Sequence, residues 1–201
     1  MLNDALPLIH ERLARSVAAK EAFVRESAPQ LVHLAGTMQK SLEAGGKILV
    51  FGNGGSAADA QHFAAEFVNR FLLNRRPLAA LALTTDTSAL TAIGNDFSFD
   101  EIFAKQIEAL GRQEDVALGI STSGNSKNVL RGLEAARTIG MTCAGLTGGI
   151  PGGGKMAPLC DILLNVPSAD TPHIQECHLF IEHLLCELVE RAMFPQIEAK
   201  P

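Results

Sequence analysis

His62 and Glu66 stand four residues apart in VFGNGGSAADAQHFAAEF (50–67), where the pattern predicts a helix starting at Ser56. At that spacing both side chains leave the same helix face. An imidazole and a carboxylate so placed can supply two metal ligands, or one ligand and one base. An exposed ion pair or a packed histidine is the plainer alternative. A second stretch favours chemistry: TPHIQECHLFIEHLLCELVE sets His173, Gln175, Glu176, His178, Glu182 and His183 into an otherwise strongly apolar helix. Buried polar side chains without partners are costly, so this many interruptions suggest a site. Gln175 and His183 are separated by two turns with roughly 80° of drift and can line one groove. By spacing alone, His178 serves as well as His183.

A third stretch, STSGNSKNV (121–129), offers hydroxyls from Ser121, Thr122, Ser123 and Ser126, a tight turn at Gly124, and a following helix N-terminus. Unpaired N–H groups and the positive end of a helix dipole bind a phosphate monoester without a lysine. Helix capping explains one such hydroxyl and not four. Two better-known phosphate patterns fail. GIPGGGKM (149–156) puts Met156 where a P-loop needs a magnesium-binding hydroxyl, and Pro151 interrupts it. GNGGSA (52–57) fits the glycine pattern of dinucleotide binding, but the nearest acidic partner, Asp86, follows Gly52 by 34 residues rather than about 20.

The elements that must position these groups alternate. KILVF, LAALAL (78–83), DVALGI (115–120), MTCAGLTG (141–148) and DILLNVP (161–167) read as strands. Helices are expected through about Arg70, Ile93 and Ile139, with a last one from about Asp170 to Met193. Short apolar strands alternating with helices indicate a parallel sheet covered on both faces, a three-layer α/β fold. Ligands of such sheets bind at the carboxyl ends of the strands, where the polar loops converge. Residues 5–44 read instead as a pair of amphipathic helices, ended by Gly45-Gly46, with little to pack on except the main body or another subunit. No linker divides the chain, so one domain is expected over 1–201, with 1–45 serving oligomerisation and 46–194 forming the α/β core.

Composition excludes other classes. Hydrophobic residues make up 47% and charged residues 19% of the 201, which predicts a folded globular domain. A net charge of −5 argues against a general nucleic-acid or anionic-membrane binder. MLNDALPLIHERLARS reads as neither a secretory signal nor a transit peptide, and no apolar run approaches the roughly 20 residues that span a bilayer. A cytoplasmic location is expected. Cys143, Cys160, Cys177 and Cys186 form no C-x-x-C pair and lie in apolar segments, which makes them core side chains.

With these residues in view, the chain resembles the sugar isomerase (SIS) domain family, and within it the phosphoheptose isomerases. The likeness runs through GNGGSAADAQHFAAEF, IGNDFSFDEIFAKQIEALGRQEDVALGISTSGNSKNV, GGKMAPLCDI and HIQECHLFIEH, nearly end to end. It implies a flavodoxin-like five-stranded parallel sheet and a homotetramer with active sites at subunit contacts. Its implied activity converts sedoheptulose 7-phosphate to D-glycero-D-manno-heptose 7-phosphate in bacterial activated-heptose synthesis. One zinc ion per subunit is implied on His62, Glu66, Gln175 and His183, which favours His183 over His178. Substrate contacts are implied from Asn53, Gly54, Gly55, Glu66, Asn95, Asp96, Ser121, Thr122, Ser123, Ser126 and Gln175. Glu66 is expected to move the carbon-bound proton and His183 to serve the oxygens.

A close relative in that family binds the replication initiator and lacks the residues matching Glu66 and His183. Both are present here, so the enzyme is preferred over a non-catalytic binder or sugar-phosphate sensor. Two departures stand out: His173 replaces the arginine usual before IQE, and GGIPGGGKM is longer than the usual GKDGGKM.

Overall fold

The computed structural model describes residues 5–149 and 152–197. Five strands, β1 (Ile48–Gly52), β2 (Ala80–Ala82), β3 (Val116–Ser121), β4 (Thr142–Gly148) and β5 (Ile162–Val166), form one all-parallel sheet in the order β2-β1-β3-β4-β5. The chain winds one way from β1 to β2 and the other way from β3 onward. Such a reversal opens a crevice at the carboxyl ends of β1 and β3.

The helices are α1 (Ala5–Glu43), α2 (Gly55–Val68), α3 (Thr87–Asp96), α4 (Ala104–Leu110), α5 (Lys127–Ile139) and α6 (Thr171–Met193). The period-two alternation of a strand divides them into layers. Ile48 and Val50 of β1 enter a core shared with α1, α2 and α6, while Leu49 and Phe51 enter the opposite core with α4 and α5. The central strands β1 and β3 are buried on both faces, which explains their nearly unbroken apolar runs.

The expected N-terminal pair of helices is a single 39-residue helix, with Pro29 inside it. A mid-helix proline loses one hydrogen bond and crowds the preceding turn, at about 3 kcal/mol. Both halves nevertheless pack on the same core. Ser16, Ala19 and Phe23 are buried before the proline, and Leu31, Leu34, Ala35, Met38 and Leu42 after it. That shared burial outweighs the local break, and Pro29 itself faces solvent. The second strand is also shorter than LAALAL suggests, covering only Ala80–Ala82. All four cysteines are free thiols, three of them buried. Among the described residues, no helix is long and apolar enough to cross a membrane.

Candidate active site

The first polar loop leaves β1 at Gly52 and enters α2 at Gly55. A side chain at Gly55 would collide with the Gln175 amide of α6, so the loop and the last helix meet there with no room for a Cβ. Asn53 and Asn128 exchange two hydrogen bonds, each 2.8 Å, joining the first loop to the second. Asn128 is buried at the start of α5 and was not anticipated from sequence. Its signal was available: an Asn just inside a helix, past the position where it could cap.

The second loop follows β3. Ser121 and Ser126 hydroxyls lie 3.0 Å apart, and the Ser126 side chain makes no capping bond to α5 although it holds the N-cap position. Ser123 Oγ accepts from the Asn125 amide at 3.2 Å. Gly124 turns with φ +65°, and a Cβ there would strike the Gly153 carbonyl. Thr122 and Ser123 line a cleft of about 370 Å³ with Gly149, Ser168 and Thr171, the last at the start of α6. Hydroxyl-bearing Thr122, Ser123, Ser168 and Thr171 and the N-terminus of α6 thus meet at one cleft. Of the lengthened loop, Ile150 and Pro151 fall outside the described residues.

On the other side of Gly55, α2 faces α6. The Nε2 atoms of His62 and His183 stand 2.9 Å apart, with the rings edge to face at 74°. Glu66 Oε1 is 3.6 Å from His62 Nε2. Gln175 Nε2 donates to Asp59 Oδ2 at 3.2 Å. Asp59, His62 and Glu66 share one face of α2, at intervals of three and four residues. Of the two histidines that spacing left open, His183 meets His62, whereas His178 is fully buried and pairs with the Thr147 carbonyl at 3.0 Å. His173 is buried at the α1–α6 contact, 3.5 Å from Glu176 Oε2.

The electrostatics around this group are unusual. Burial pushes the Asp59 carboxyl up, opposed by the Gln175 hydrogen bond and the nearby His62. Glu182 is fully buried with neither carboxylate oxygen hydrogen-bonded, and burial followed by the Asp59 charge raises it well above the usual range. Burial lowers His178 to about 4 against the pull of the Thr147 carbonyl. Burial thus disfavours the charged form at Asp59, His178 and Glu182.

The donors fit a zinc ion by type and nearly by spacing. Tetrahedral bonds of about 2.0–2.2 Å set ligand atoms roughly 3.3–3.6 Å apart, and mixed nitrogen and oxygen ligands are usual. His62 Nε2 lies 2.9 Å from one candidate donor and 3.6 Å from another. The Gln175 nitrogen is engaged by Asp59, which leaves its Oε1 as the metal-type donor. As placed, no group of three His, Cys, Asp or Glu among the described residues closes around an ion. His62 is the member that reaches both His183 and Glu66.

Asn95 and Asp96 sit at the exposed end of α3 and bond to each other at 2.8 Å. A smaller pocket of about 160 Å³ separates α3, at Leu90, from Asn53 and Gly54 of the first loop. The chain's own folding therefore gathers the α2–α6 group and the two loops, and leaves Asn95 and Asp96 outside that group.

Parallel order 2-1-3-4-5 with polar loops at the crevice defines a doubly wound α/β protein whose ligand site lies at the carboxyl ends of its strands. Residues 13–148 match the SIS domain family, to which the chain belongs. It is 54% identical over 199 residues to the phosphoheptose isomerase of Desulfovibrio desulfuricans, covering 99% of this chain and 94% of that one. Among solved structures, the phosphoheptose isomerase of Neisseria gonorrhoeae superposes with a TM-score of 0.87 at 47% identity, over 92% of this chain and 98% of that one. The phosphoheptose isomerase of Francisella tularensis gives 0.89 at 41% identity, over 93% and 98% of the two chains.

Proposed function

We infer that this protein is an aldose-ketose isomerase that converts sedoheptulose 7-phosphate to D-glycero-D-manno-heptose 7-phosphate in activated-heptose synthesis. Relatives of that name, more than half identical across nearly the entire chain, support it over a non-catalytic binder. The observation that carries the chemistry is the 2.9 Å approach of His62 and His183 beside Glu66, from two helices far apart in sequence.

The phosphate is held by Ser121, Thr122, Ser123 and Ser126 with the amides of α5, without a lysine. The sugar then extends past Asn53 and Gly55 toward Gln175. Glu66 takes the proton from the hydroxymethyl carbon, and the C–H electron pair becomes the C1=C2 bond of an enediol. The ketone oxygen gains a proton through His183. Glu66 returns its proton to C2 while His183 removes the one on O1, which leaves the aldehyde. Acid-base groups of this kind contribute about 10²–10⁴-fold each. His62, Glu66, Gln175 and His183 would hold zinc, which when bound polarises the carbonyl and stabilises negative oxygen. A carboxylate bound to the metal is a weaker base, so Glu66 must exchange roles or bind loosely.

The subunits assemble as a homotetramer in the cytoplasm, with α1 as a contact element. Leu6, Ile9 and Leu13 support this, being exposed on one chain at 67%, 59% and 62%. The test is direct: purified protein is incubated with sedoheptulose 7-phosphate, with and without chelation and zinc re-addition, and aldose phosphate is followed. Turnover is expected, and Glu66→Gln lowers kcat by about 10²–10⁴-fold. A folded, metal-loaded tetramer with no turnover would sink the reading.

A further inference from the structure

Between α2 and β2 the chain crosses α6, and a buried ion pair fixes its course. Glu190 Oε1 accepts from the Phe71 amide at 2.9 Å, and Oε2 accepts from Leu72 and Leu73 at 2.8 and 2.9 Å. Arg75 Nε donates to Glu190 Oε1 at 2.8 Å, with both side chains 1% exposed. The remaining Arg75 donors turn back to α2: Nη2 to the Glu66 carbonyl at 2.8 Å and Nη1 to the Phe67 carbonyl at 2.7 Å. The carboxylate thus gathers four donors, and the guanidinium closes the C-terminal carbonyls of α2. Such a fully satisfied buried pair holds its surroundings to one geometry.

What this strap delivers is the Phe71 ring. It lies over the His183 imidazole with centroids 5.4 Å apart and planes only 16° apart. His62 meets the same imidazole edge-on at Nε2. The torsion that turns an imidazole about its Cβ–Cγ bond has broad wells, so rotamer preference alone leaves the ring plane loosely set. Here a ring above and a partner at the edge set it.

We propose that Phe71, placed by the Arg75–Glu190 clamp, is a positioning residue for His183: it fixes the imidazole plane so that Nε2 stays aimed at His62 and the site. The kinetic consequence rests on the isomerase reading, and the placement itself does not. The test compares full-length wild type with Phe71→Leu, which keeps an apolar side chain without the ring, and Phe71→Tyr, which restores the ring. In Phe71→Leu, kcat for sedoheptulose 7-phosphate falls about ten- to a hundredfold, the scale of a slightly misplaced catalytic group. KM and melting temperature stay near wild type, and Phe71→Tyr recovers kcat.

The His183 ring Cε1–H resonance, identified by its loss in His183→Gln, moves in Phe71→Leu as the ring current is removed, and holds in Phe71→Tyr. An active wild type whose Phe71→Leu keeps full kcat, or loses kcat and stability together without recovery in Phe71→Tyr, overturns the proposal. So does a His183 resonance indifferent to Phe71→Leu. If the wild type does not isomerise the sugar, the functional reading fails and the resonance alone decides the placement.

Discussion

The helices α6 and α3 both carry residues proposed for the site, yet they are built in opposite ways. α6 buries Ile174, Cys177, Ile181, Leu185 and Val189 along its length, and Glu190 anchors its far end. α3 buries no residue at all, and the chain just after it exposes Phe97 and Phe99 at 65% and 63%. The difference separates two tasks. Proton transfer needs groups fixed to fractions of an ångström, and His183, proposed for that task, rides on a helix locked into the core. Residues that only orient a hydroxyl can sit on a helix that finds its support elsewhere, and the proposed tetramer would supply that support.

The comparison breaks most sharply at the clamp. Glu190→Ala strands the Arg75 guanidinium and three backbone amides, and denaturant titration is expected to show a loss of about 3–5 kcal/mol. Acid should find the same helix next. Folded His178 titrates near 4 rather than its ordinary 6.5, so the unfolded chain binds more protons between those values. Stability is therefore full above about 6.5 and declines as pH falls toward 4, by about 3 kcal/mol in all. His178→Asn flattens that limb of the stability-against-pH curve.

Glu182→Met has the opposite sign. A buried carboxyl whose oxygens lack partners, and whose folded pKa is raised, destabilises once pH exceeds its ordinary value of 4.5. Its removal is expected to add about 1–3 kcal/mol at neutral pH and less in acid. The smallest effect belongs to α3: Asp96→Asn shifts stability by no more than about 0.5 kcal/mol, while KM rises. A large stability loss there, measured on dissociated subunits, would erase the contrast between the two helices.

Much of this was legible in the sequence because parallel strands buried on both faces announce themselves as apolar runs between glycine-rich loops. Ser121, Thr122 and Ser123 could be read locally, since their chemistry lies in a single loop. His62 and Glu66 could be paired because helical spacing puts them on one face. The Arg75–Glu190 clamp could not, because its partners are 115 residues apart and FLLNRRP carries no periodic signal. In the Asn53–Asn128 bridge the place of Asn128 just inside α5 was a local sign, but its partner 75 residues away was not. The reading of 5–44 as two helices failed because local periodicity says nothing of the core that holds both flanks of Pro29 in one line.

The pairing of α1 with α6 also sets a timetable. Ser16 bonds to Glu176 across 160 residues of sequence, and the apolar face of α1 shares its core with Ile174, Cys177 and Ile181. At about 5–20 residues per second on the ribosome, the first helix waits roughly ten to thirty seconds for the last. β1 is likewise made before both strands that flank it. A nascent chain therefore carries an uncovered apolar stripe for nearly its whole synthesis, and the core on that side of the sheet closes only when the last helix is made.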